Sequence, residues 1–199
     1  MARRPFVAGN WKMNGLKASI AEAARMVDTL AGAAKRPDID IVLCPPATML
    51  AVLADELDGS MISVGGQDCH TAASGANTGD TAAEMLKDAG ATAVIVGHSE
   101  RGTDHGERDS DVRAKVEAAR RAGLTAIVCL GETLGQRRAG LHLEVAARQL
   151  VGSLPTAIGA GEMVIAYEPV WAIGTGLTAS PARADESIPR IPRMLGRTG

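Results

Sequence analysis

Six side chains able to do acid–base or oxyanion chemistry each stand at or just past the end of a short apolar run. Asn10 and Lys12 follow Phe6-Val7-Ala8-Gly9, and His98 and Glu100 follow Ala93-Val94-Ile95-Val96-Gly97. Glu132 follows the run Leu124 to Leu130, and Glu168 ends the run Met163 to Tyr167. A carboxylate can take a proton from one atom and return it to the next, and an imidazole can donate to a neighbouring oxygen. An ammonium and a fixed amide stabilise the negative charge that builds on that oxygen. Alone, a lysine after a strand is usually a solvated charge and a histidine after a glycine a satisfied loop residue. Several such groups at equivalent places are a less ordinary coincidence. Glu168 also opens Glu168-Pro169-Val170-Trp171-Ala172-Ile173-Gly174-Thr175-Gly176. A proline stops the strand, an apolar body follows, and the end is flexible and rich in amides. Such a loop can close over a small anion and exclude water.

Positioning these groups requires a regular scaffold, and the chain supplies a repeating one. Strands are expected at 6–9, 39–43, 62–65, 93–97, 124–130 and 163–167, each a near-continuous apolar run. Helices are expected at 16–30, 48–57, 81–88, 109–122 and 141–150, with a long polar loop at 67–79. The 109–122 helix ends at Gly123 with Arg120 and Arg121 in its last turn, as the helix dipole favours. Apolar strands alternating with helices imply a parallel sheet covered by helices. This leaves a (β/α) barrel or a doubly wound sheet; a GxGxxG fingerprint after the first strand is lacking, which weakens the dinucleotide-binding reading. In a parallel barrel all strand C-termini share one rim, where such folds place their chemistry.

Composition narrows the rest. The 199 residues are 46% apolar and 22% charged, ordinary for one soluble domain. A net charge of −2 gives no basis for nucleic acid or an anionic membrane, so an anion site must be local. No secretory leader is expected at Met-Ala-Arg-Arg-Pro, and no apolar run is long enough to span a bilayer. Cys44, Cys69 and Cys129 form no CxxC pair and no zinc pattern, and are expected as reduced, mostly buried thiols in a cytoplasmic protein.

Three stretches carry a resemblance. Ala8-Gly9-Asn10-Trp11-Lys12-Met13-Asn14, Val96-Gly97-His98-Ser99-Glu100-Arg101 and Ala166 to Gly176 closely resemble three signatures of the triosephosphate isomerase family, in the family's order and spacing. The likeness runs from about Phe6 to Thr178. It implies a TIM-type (β/α) barrel and interconversion of dihydroxyacetone phosphate and glyceraldehyde 3-phosphate through an enediolate, without metal or organic cofactor. It implies Glu168 as the proton-transferring base, neutral His98 as donor to the substrate oxygen, and Lys12 and Asn10 as stabilisers of oxyanion and phosphate. Glu100 would lie beside the site, and Gly174 would offer its amide to the phosphate when the loop closes. It further implies a homodimer or larger homo-oligomer, in which Asn77, Thr78 and Gly79 reach into the neighbouring subunit.

The sequence also departs from the family pattern. Six strands are counted where the family barrel has eight, and no counterpart to the two glycine-rich turns of the last strands is found. A single domain over 1–199 is therefore expected, family-like to 178, with a divergent tail over 179–199 that holds Pro189 and Pro192. An incomplete barrel of about six parallel strands with outer helices would retain the proton-transfer groups while losing phosphate contacts, which implies reduced turnover. The alternative is an inactive paralogue serving as an oligomeric binding or scaffold protein. Gly102 stands where the family usually has an arginine.

Overall fold

The computed structural model describes residues 5–32, 38–159 and 161–172. One sheet carries six strands in sequence order: β1 (Phe6–Asn10), β2 (Asp40–Cys44), β3 (Ile62–Gly66), β4 (Ala93–Val96), β5 (Thr125–Leu130) and β6 (Met163–Tyr167). The pairings of β1 with β2, β2 with β3 and β3 with β4 are parallel. Between the strands lie α1 (Ile20–Ala31), α2 (Ala47–Glu56), α3 (Ala83–Asp88), α4 (Ser99–His105), α5 (Asp109–Arg121), α6 (Leu134–Arg138) and α7 (His142–Ser153). Each expected strand and each of the five expected helices is present, with boundaries shifted by a few residues. The expected tail falls outside the described residues.

The chain forms two compact units. The first holds residues up to 95 together with 118–126. Its core is aliphatic: Val42, Leu43, Ile62, Val64 and Val94 from the strands meet Leu50 and Leu53 of α2 and Leu86 of α3, all nearly inaccessible. Small residues let these layers close. A Cβ on Gly66 would lie 2.6 Å from Leu86 Cδ1, and one on Gly65 would lie 2.9 Å from Cys44 Sγ. Burial pushes the Cys44 thiol up to about 12, so it stays a thiol at neutral pH. Cys44 and Cys69 are buried and Cys129 is partly exposed.

The second unit holds residues 96–117 and 127 onward. Val96 and Val128 of the strands, Val112 and Val116 of α5, and Val145 and Leu150 of α7 are all buried in it. α5 buries Lys115 in a salt bridge with Glu107, itself almost inaccessible. An ion pair this enclosed is kept by its geometry, since losing one partner strands the other charge.

Two short helices go beyond the sequence reading. α4 and α6, with sequences SERGTDH and LGQRR, show no apolar periodicity, and local caps hold them instead. Thr133 Oγ1 accepts from the Gln136 amide, while Gln136 Oε1 accepts from the Thr133 amide, a reciprocal capping box that starts α6. The expected helix at 16–30 begins as a single 3-10 turn, Lys17–Ser19, before α1.

Candidate active site

In the first unit β1 ends on Asn10, and the chain turns sharply through Lys12. Lys12 has φ 53°, the left-handed region, and no other non-glycine residue among those described has a positive φ. This conformation costs a non-glycine residue strain of order 1–3 kcal/mol and persists only when its surroundings impose it. Here two side chains impose it. Asn10 Oδ1 accepts from the Lys12 amide at 2.9 Å, and Gln67 Nε2 donates to the Lys12 carbonyl at 2.8 Å. Gln67 also donates to the Cys44 carbonyl at 2.8 Å, so the turn is tied to the end of β2. Asn10 therefore acts first on the backbone of the lysine two residues on.

In the second unit Gly97 follows the last residue of β4, and its φ of 71° turns the chain. A Cβ there would lie 2.9 Å from Val112, so only glycine lets α5 pack this closely under the turn. His98 follows, nearly buried, as the N-cap of α4. Its Nδ1 accepts from the Glu100 amide at 3.3 Å. With Nδ1 placed to accept, Nε2 is the ring nitrogen placed to donate. Nε2 faces Glu168 Oε2 at 3.4 Å, and Glu100 Oε2 lies 3.6 Å from Nδ1. Glu168 and Glu100 remain about half exposed, so the carboxylates are open to solvent while the imidazole is fixed.

Glu168 is placed by what stands beneath it. The Glu168 amide donates to the Leu130 carbonyl at 2.8 Å, and the Val170 amide to the Glu132 carbonyl at 3.0 Å. The Glu132 carboxylate is wholly inaccessible. Tyr167 Oη donates to its Oε2 at 2.7 Å and Trp171 Nε1 to its Oε1 at 3.0 Å, with Arg137 3.8 Å from Oε1. Hydrogen bonds to a buried charge are worth about 1.5–3 kcal/mol each, so this carboxylate ties together the residues flanking Glu168. Sequence reading places Glu132 after the fifth strand; its burial and its two aromatic donors, 35 and 39 residues away, leave no local signal.

A cavity of about 290 Å³ opens here, lined among others by His98, Glu168, Gly131, Thr133, Gln136 and Val170. An imidazole N–H and a half-exposed carboxylate facing one small cavity can hold an oxygen and move a proton beside it. The structure thus brings His98, Glu100 and Glu168 together in one unit, and Asn10 and Lys12 together in the other. Gly174 lies outside the described residues. Asn77, Thr78 and Gly79 sit on a fully exposed stretch of the β3–α3 connection. Among the described residues no group of three His, Cys, Asp or Glu side chains could hold a metal ion, and no helix is long and apolar enough to cross a membrane.

Comparison with known proteins shows the family and the fold. The family model described as triosephosphate isomerase matches residues 5–198. A triosephosphate isomerase of Afipia carboxidovorans is 59% identical over 92% of this chain and 72% of its own length. One from Bradyrhizobium diazoefficiens is 61% identical over 89% of this chain and 70% of its own. The crystal structure of triosephosphate isomerase from Bartonella henselae superposes with a TM-score of 0.88 at 45% identity, covering 99% of this chain and 78% of that one. The α/β architecture is therefore TIM-type, with six of its strands described here. On the family match and on these identities over most of both chains, this chain belongs to the triosephosphate isomerase family.

Proposed function

We propose that the protein interconverts dihydroxyacetone phosphate and glyceraldehyde 3-phosphate by proton transfer between adjacent carbons. The observation that carries this reading is the pair His98 Nε2 and Glu168 Oε2, 3.4 Å apart over one cavity, in a chain of this family. Glu168 takes the proton from one carbon and returns it to the other. Neutral His98 donates through Nε2 to the oxygen that becomes charged in the enediolate. Lys12, held in its strained turn, supplies positive charge to that oxygen and to the phosphate, with Asn10 fixing its aim and Glu100 beside the imidazole. Gly174 offers an amide to the phosphate. The reaction needs no cofactor and no metal. The protein acts in the cytoplasm as a homo-oligomer, using Asn77, Thr78 and Gly79 as the contact.

A coupled assay on glyceraldehyde 3-phosphate tests the reaction. The parent should turn over, and Glu168→Gln, which keeps the shape but removes the base, should lower kcat by about 10² to 10⁴. Equal rates for the two proteins, or a parent with no turnover, would end this reading.

A further inference from the structure

Gln149 projects from α7 and binds one residue with both ends of its side-chain amide. Its Oε1 accepts from the Gly131 amide at 3.0 Å, and its Nε2 donates to the Gly131 carbonyl at 3.1 Å. Gly131 is the first residue past β5. It is also where the end of β6 presses closest. A Cβ on Gly131 would overlap the Glu168 carbonyl oxygen, and would lie 2.8 Å from its carbonyl carbon and 3.4 Å from Pro169 Cα. The residues on either side carry the same neighbour: Leu130 accepts from the Glu168 amide and Glu132 from the Val170 amide. Residues 130–132 are thus a ledge on which the backbone of 168–170 rests, and Gln149 is the side chain clamped to its middle.

We propose that Gln149 is a positioning residue for proton transfer, acting on Glu168 through the main chain of Gly131. The inference rests on the isomerase reading above. Freeing the Gly131 peptide lets the ledge shift, and the carboxylate moves with it. A displacement of about 1 Å at a reacting group can cost about a hundredfold in rate. Gln149 borders the same cavity, but its amide is turned onto the Gly131 peptide rather than offered to a substrate, so the loss belongs to kcat rather than to KM.

Two substitutions in the full chain separate this role from simple packing. Gln149→Leu keeps the bulk and loses both bonds. Gln149→Glu is conditional: a neutral carboxylic acid has one O–H and one C=O, so it repeats both bonds, whereas the ionised form only accepts and sets its charge against the Gly131 carbonyl. Gln149→Leu should lower kcat about tenfold or more, the equivalent of about 1.4 kcal/mol, with KM within about twofold. For Gln149→Glu, the ratio of its kcat to the parent's at the same pH should rise as pH falls through the carboxyl range. An unchanged kcat for Gln149→Leu, a loss confined to KM, or a ratio flat with pH would overturn the inference. A parent without turnover would defeat the isomerase reading instead. Amide hydrogen exchange then decides about Gln149: Gln149→Leu should speed exchange about tenfold at Glu168 and Val170 but not at Val116 in α5. Unchanged protection at those two amides would overturn it.

Discussion

At the scale of single residues, the site depends as much on glycine as on charge. Gly97 turns the chain so that His98 leaves β4 at the right angle, and its missing Cβ is where Val112 sits. Gly131 is stricter, because what it approaches is backbone and cannot swing aside. Gly131→Ala should therefore push the Glu168 peptide away and lower kcat by about a hundredfold, while far-UV circular dichroism stays native. Activity within a few-fold of the parent would show that the ledge yields at no cost. The candidate residues themselves are legible: His98, Glu100 and Glu168 stand out by their places after strands, and the structure brings them together. Glu132 was visible as a residue and not as an anchor, and Gln149 was not visible at all. Their partners lie 18 to 39 residues away, and no local pattern distinguishes a buried carboxylate or amide from a solvated one.

At the scale of elements, strands are readable because a buried parallel strand is nearly continuous in apolar residues, as β2 to β5 are apart from Asp40, Ser63 and Thr125. α5 was readable from its amphipathic stripe and basic end. α4 and α6 were not, since neither has an apolar stripe and each is held by side chains capping a few amides. α4 matters most, because its first cap is the imidazole of His98. Gly102 lies within it, and a glycine inside a helix costs about 0.5–1 kcal/mol relative to alanine. A Cβ there would meet nothing nearer than the Glu107 carbonyl oxygen at 3.6 Å, an ordinary contact. Gly102→Ala should therefore raise the unfolding free energy by about that amount in urea titration. A lower midpoint would mean that α4 needs the freedom of its glycine.

At the scale of the whole molecule, what the sequence left open was what its exposed surfaces meet. Met13 and Leu16 are among the most exposed large apolar residues of the first unit, and the stretch 73–80 is exposed along its length. Such surface is consistent with association through Asn77, Thr78 and Gly79. Analytical ultracentrifugation at micromolar concentration should give a mass of at least two chains for the parent. Thr78→Arg, which adds bulk and charge at the tip, should shift it toward one. A parent sedimenting as a single chain would exclude the homo-oligomer.

The left-handed turn at Lys12 has an evolutionary consequence. Thermal robustness and chemistry make opposing demands on that position. Glycine would relax the main chain there but abolish the charge, while arginine would keep a charge together with the strain and an uncharged side chain would keep the strain alone. No one-step replacement satisfies both, so adaptation to heat has to be found in the tethers, Asn10 and Gln67, or farther away.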